Sequence, residues 1–138
     1  MMAEKFMTSL AGLGSFGIYF GASVVLILLF ALFYAMVTPY RELSLIREGN
    51  AAAAASYSGA LLGFTIPLAS AVTHSVGLID MVIWGVVALV VQVAAFCVVR
   101  IIFPSIVQDI PNNQTAKGIF LGAAALAIGI INAACMSY

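Results

Sequence analysis

The sequence predicts an all-α integral membrane protein of four transmembrane helices, built from two tandem parallel-repeat helical hairpins. Three observations predict this class. Of the 138 residues, 64% are hydrophobic and only 7% charged, against roughly 25% charged in soluble domains. Four apolar stretches, approximately 16–38, 52–77, 78–102 and 115–136, each reach the ~20 helical residues that a hydrocarbon layer of ~30 Å requires. Two glycine pairs recur 59 positions apart, "GALLG" at 59–63 and "GIFLG" at 118–122. Four spans leave almost no chain for a soluble unit, so a single transmembrane domain over 1–138 is expected. Hairpin repeat one covers about 16–77 and hairpin repeat two about 78–137.

Span one follows a glycine-rich stretch, "AGLGSFGIYFG", read as a flexible start. No strand precedes it and no Lys-Ser/Thr follows, so it is not a phosphate loop. Its apolar run exceeds the 7–15 residues of a signal core, so the helix is expected to be retained. No lipid anchor is expected at either cysteine. Span two follows "EGNAAA", where Asn50 offers a helix cap, and Pro67 should kink it. Span three follows a tight turn carrying Asp80, most simply its cap. Span four follows "NNQTAKG", with Asn112, Asn113 or Thr115 as cap. Cys97 falls near the cytoplasmic end of span three and Cys135 near the outer end of span four, in opposite leaflets. A disulfide between them is excluded, and both read as small apolar filler.

Charge sets the expected orientation. Arg41, Arg47, Arg100 and Lys117, four of the five Lys/Arg, flank the first and third connections, and Lys5 alone lies elsewhere. The positive-inside rule puts that side in the cytoplasm and both termini in the periplasm. Arg41 and Arg100 read as anchors that snorkel to phosphates. Trp84 and Tyr138 read as interfacial anchors on the outer side.

A shift of 59 superposes Arg41 on Arg100, Gly59 on Gly118, Gly63 on Gly122, Ser70 on Gly129 and Thr73 on Asn132. Both hairpins start on the same side, so the pseudo-twofold axis runs along the membrane normal. On a helical wheel Gly63, Ser70 and Thr73 lie within about 60° of Gly59, opposite Leu61, Phe64 and Leu68. From Gly118, the residues Gly122, Ala125, Gly129 and Asn132 share one face. Lipid supplies no hydrophobic drive between helices, so small stripes serve close backbone packing. The expected packing residues are therefore Gly59, Gly63, Ser70, Gly118, Gly122 and Gly129. Spans two and four should meet, within the chain or across copies, inside a shell of spans one and three.

Thr73, His74, Asp80, Gln92 and Asn132 form the candidate polar pathway. Polar groups in hydrocarbon are functional candidates. Plainer readings compete with that one. Thr73 can bond its own i−4 carbonyl. Asn132 and Gln92 can bond across helices, and His74 can sit at the headgroup zone. With one histidine, no intramembrane carboxylate pair and no metal-spaced His/Cys cluster, no enzyme, catalytic residue, metal or cofactor is expected.

The stretches "REGNAAAAASYSGALLGFTIPLASAV" and "AKGIFLGAAALAIGIINAACMS" resemble the YjfL-like bacterial inner-membrane family, domain of unknown function 350. The likeness runs from about Phe16 to Ser137. The Gly49-Asn50 pair and "GIINAA" at 129–134 carry most of it. The resemblance implies a four-helix inner-membrane protein of two tandem hairpins, with no established activity and no catalytic residue to transfer. Relatives are often encoded near phage-shock-type proteins, so a cytoplasmic membrane-stress protein is the implied partner. Two readings follow. One is an oligomeric scaffold or stress-associated module, self-associating in the bilayer and binding no nucleic acid. The alternative is a small proton or ion channel or transporter, with its pathway between the small faces of spans two and four. Pro67 would then expose a carbonyl usable by an ion.

Overall fold

The computed structural model describes residues 1–136, so the anchor expected at Tyr138 lies outside the described residues. These residues form helices α1 (Met2–Val37), α2 (Glu42–Arg47), α3 (Ala51–His74), α4 (Leu78–Ile102), α5 (Ile106–Asp109) and α6 (Thr115–Cys135), with no strand among them. α1, α3, α4 and α6 are long and apolar enough to cross a membrane. The first and third connections carry the two short helices and lie together at one end, here the charged end. The α3–α4 turn lies at the other.

α3 is the centre of the bundle. More than half of its most apolar window is buried, against 28% for α4 and α6 and 17% for α1. α6 is thus as much a shell helix as α4, which corrects the expected division into two inner and two outer spans. The cause lies in the bulky sides. Phe64 and Leu68, opposite the small face of α3, are buried inside the bundle. Phe64 stacks on Phe30 of α1 at 4.6 Å, and Tyr34 meets Tyr57 and Phe96 edge-on. The corresponding bulky residues of α6, Phe120 and Ile131, point outward. Cys97 and Cys135 are free and also exposed, so they fill no core position.

α1 starts at Met2, fourteen residues before the expected span, and runs helically through its glycines. Nothing lies close to Gly12, Gly14, Gly17 or Gly21, and residues 1–18 are exposed. A helix of 36 residues is about 54 Å long, well over the ~30 Å hydrocarbon layer. Only Leu26, Phe30 and Tyr34 of α1 are buried. Its N-terminal part therefore extends beyond the packed bundle, with Phe6, Leu10 and Leu13 on one exposed stripe.

Both connections at the charged end stop in the same way. After α2, Gly49 takes φ +85°, Asn50 N–H donates to Leu45 C=O, and Gly49 N–H donates to Ile46 C=O. This is a Schellman stop, in which a left-handed residue lets the next N–H groups satisfy orphan carbonyls. After α5, Asn113 takes φ +57°, Gln114 N–H donates to Asp109 C=O, and Asn113 N–H donates to Ile110 C=O. Gly49 and Asn113 stand 64 residues apart, as do Ala51 and Thr115, which open α3 and α6. The two helix stops and the helix starts after them are thus spaced by 64 residues, while the glycine pairs are spaced by 59.

Candidate functional site: the closed seam and the charged end

The small faces of α3 and α6 meet backbone to backbone. A Cβ added at Gly118 would strike the Ala52 backbone, one at Gly59 the Gly122 backbone, and one at Gly129 the Gly63 backbone, all closer than 3.0 Å. Gly122 stands against the Ala55 carbonyl in the same way, and Gly63 against Ala125. Only a residue without a side chain lets the helices approach this closely. Ser70 is half-buried, and its carbonyl accepts from or faces His74 Nδ1 at 3.1 Å.

Gln92 closes the seam from α4. Pro67 lies inside α3 and has no N–H, so the carbonyl one turn back, on Gly63, loses its helical donor. Gln92 Nε2 donates to that carbonyl at 3.1 Å and to Ala125 C=O of α6 at 3.0 Å. One buried amide thus ties three helices and caps the carbonyl that Pro67 would otherwise leave exposed. The void beside it, between Tyr34, Gln92, Phe96, Leu121 and Ala125, is only about 10 Å³, at the lower limit for one water.

Thr73, His74 and Asp80 of the polar set stand against local backbone. Thr73 Oγ1 donates to Ala69 C=O, and Asp80 Oδ2 accepts from Val76 N–H at 3.1 Å. Asp80 is therefore not the N-cap of α4, which is Gly77. It stands inside the first turn and reaches back across the start. Thr73 and His74 are exposed. Asn132 is half-buried, and its Nδ2 is buried with no hydrogen-bond acceptor in reach.

At the charged end two asparagines clasp the connections. Asn50 Oδ1 caps α3 by accepting from Ala53 N–H at 2.8 Å, and its Nδ2 donates to Ile110 and Pro111 carbonyls. Asn113 Oδ1 returns the link by accepting from Ala52 N–H. Asn113 thus serves α3, while the N-cap of its own neighbour α6 is Gln114, with no side-chain cap. Arg41, Arg47, Arg100 and Lys117 are all exposed here. Lys117 Nζ pairs with Asp109 Oδ2, which also accepts from Ser105 Oγ. Those two donors hold the Asp109 carboxyl below its ordinary range.

Glu42 and Tyr40 were not singled out in the sequence, and both are buried. Glu42 is 3% exposed and Tyr40 8%. Glu42 Oε1 and the Tyr40 hydroxyl have no hydrogen-bond partner. Burial pushes the Glu42 carboxyl up, opposed in part by the Thr38 hydroxyl and its own N–H. Burial, and then Glu42, push the Tyr40 phenol up, while Arg100 pulls it down. Both residues line an open cavity of about 390 Å³ with Ala31, Leu32, Ala35, Arg41 and Tyr57. The signal was present in α2, where Glu42, Leu45 and Ile46 share the face that packs inward.

Fold and site together define a small polytopic α-helical membrane protein with a tightly packed α3–α6 seam and an elaborated charged end. The chain belongs to the Domain of Unknown Function (DUF350) family, whose family model matches residues 7–136. It is 43% identical over 132 residues to the UPF0719 inner membrane protein YjfL of Escherichia coli (strain K12), covering 96% of this chain and 100% of that one. It is 28% identical over 102 residues to the UPF0719 transmembrane protein YshE of Bacillus subtilis (strain 168), covering 72% of this chain and 76% of that one. No solved structure matches the chain.

Proposed function

We propose that this chain is a non-transporting module of the bacterial inner membrane, built from two tandem hairpins. In this reading it self-associates in the bilayer and presents its charged end to a cytoplasmic membrane-stress protein. One observation carries it: α3 and α6 touch backbone to backbone from Ala52–Gly118 to Gly63–Gly129, and Gln92 seals the one freed carbonyl. A pathway between those faces has no room. The exposed apolar stripe on α1 supports self-association, because Phe6, Leu10 and Leu13 stand exposed together on one side of the helix. The lysines and arginines gathered at the charged end support a cytoplasmic placement of that end, with both termini periplasmic.

Asn132 favours the second reading, a channel. A buried amide nitrogen without an acceptor is costly in hydrocarbon, and a path formed between copies would hydrate it. Flux across proteoliposomes separates the two. The module reading expects no proton or ion flux above empty liposomes from pH 5.5 to 8 under an imposed potential. A flux that Asn132→Leu or His74→Ala abolishes would replace it with the channel.

A further inference from the structure

The cavity beside Glu42 lies apart from the seam and has the features of a ligand site. Its walls divide by chemistry. Ala31, Leu32 and Ala35, from the last two turns of α1, form an apolar side, and Leu32 is exposed on the bundle surface. Tyr40 and Tyr57 supply aromatic surface, Arg41 a guanidinium, Ser44 a hydroxyl and Glu42 a carboxylate. Glu42 is only 3% exposed, yet among the described residues it forms no ion pair; the pair formed is Lys117–Asp109. The α1 wall is the end of a span, so the cavity stands where hydrocarbon gives way to headgroups.

We propose that this cavity binds the headgroup of a zwitterionic aminophospholipid, with the primary ammonium toward Glu42 and Tyr40 and the phosphate toward Arg41 and Ser44. An ammonium donates to the carboxylate oxygen Oε1 that otherwise lacks a donor, and its charge is drawn to the aromatic walls. A phosphate suits an exposed guanidinium one residue away in sequence. The acyl chains continue along Leu32 and its neighbours on the lipid-facing side. An inorganic cation would leave Arg41 and the apolar wall unused. An anionic lipid without an amine would leave Glu42 buried and unpaired.

The experiment is native mass spectrometry of the full chain, delipidated in mild detergent and offered equimolar dioleoyl-phosphatidylethanolamine and dioleoyl-phosphatidylglycerol. The expected result is retention of the ethanolamine lipid by about tenfold over the glycerol lipid, the scale of one hydrogen bond to a charged group. Glu42→Gln should erase that preference. Leu32→Trp, which fills the cavity from its exposed wall, should remove retention while leaving the melting temperature unchanged. Equal retention of the two lipids by the unmodified protein would overturn the proposal. So would a preference that survives in Glu42→Gln.

Discussion

Replacing Gln92 with leucine removes two hydrogen bonds from the middle of the bundle, to Gly63 C=O and Ala125 C=O. Side-chain bonds between membrane helices contribute about 0.6 kcal/mol each on average. Ala125 O keeps its place in the α6 ladder, whereas Gly63 O has no second donor because Pro67 lacks an N–H. Leaving that carbonyl bare adds about 1–3 kcal/mol. The leucine also removes the unpartnered Oε1 of Gln92, which offsets part of the loss. A net destabilisation of about 1–3 kcal/mol is expected. Pro67→Ala restores an N–H aimed at Gly63 O, so Gln92→Leu in that background should cost at least ~0.5 kcal/mol less. The assay is a double-mutant cycle, read as reversible unfolding in mixed micelles. Equal costs of Gln92→Leu in the two backgrounds would refute the link between the proline and the glutamine.

Gly59→Leu should lower folded yield in membranes and destabilise the bundle by about 1–3 kcal/mol or more, since its Cβ meets Gly122 backbone that cannot step aside. Gly12→Leu, with open space around it, should be tolerated in the same unfolding assay; equal effects at both sites would contradict the packing. In delipidated protein, Glu42→Gln should stabilise by about 1 kcal/mol at pH 8, by removing a buried carboxylate whose Oε1 lacks a donor. Burial raises the folded Glu42 carboxyl, so its protonated form favours folding; that stability is full below the unfolded value and is lost as pH rises through the folded one. The advantage of Glu42→Gln should accordingly shrink on acidification towards pH 4, and a gain independent of pH would be the contrary result. A reporter fused after Tyr138 should be active on the periplasmic side, because four of five Lys/Arg gather at the opposite end; cytoplasmic activity would reverse the orientation.

Much of the fold was legible because hydropathy reports span length directly. Leu78–Ile102 is the same in sequence and structure, and the other three spans end within three residues of their expected limits. The early start of α1 was not legible, since Gly12, Gly14 and Gly17 lower helix propensity and nothing in one sequence marks a helical segment that stays exposed. The spacing of the two hairpins reads differently from different features. Small residues spaced by four and seven match at several shifts, so glycines align at 59 while the Schellman stops and helix starts recur at 64. Gln92 and Pro67 were each conspicuous, but their meeting at Gly63 O depends on how α4 crosses α3. Glu42 sat in a charged connection whose composition reads as solvated. Its burial follows from α2 folding back with Leu45 and Ile46 against the core.

The α3–α6 seam should be shut to water in the bilayer. Ser56 tests it most directly: it is 1% exposed, near Gly122 on the seam, and close to cysteine in size. In a background of Cys97→Ser and Cys135→Ser, Ser56→Cys should resist a small water-soluble thiol reagent applied to both faces of intact membranes. It should react only after denaturation, while Ser44→Cys, exposed at the charged end, labels at once. Labelling of Ser56→Cys in native membranes at a rate near that of Ser44→Cys would mean that water enters between α3 and α6, and the closed module would be wrong.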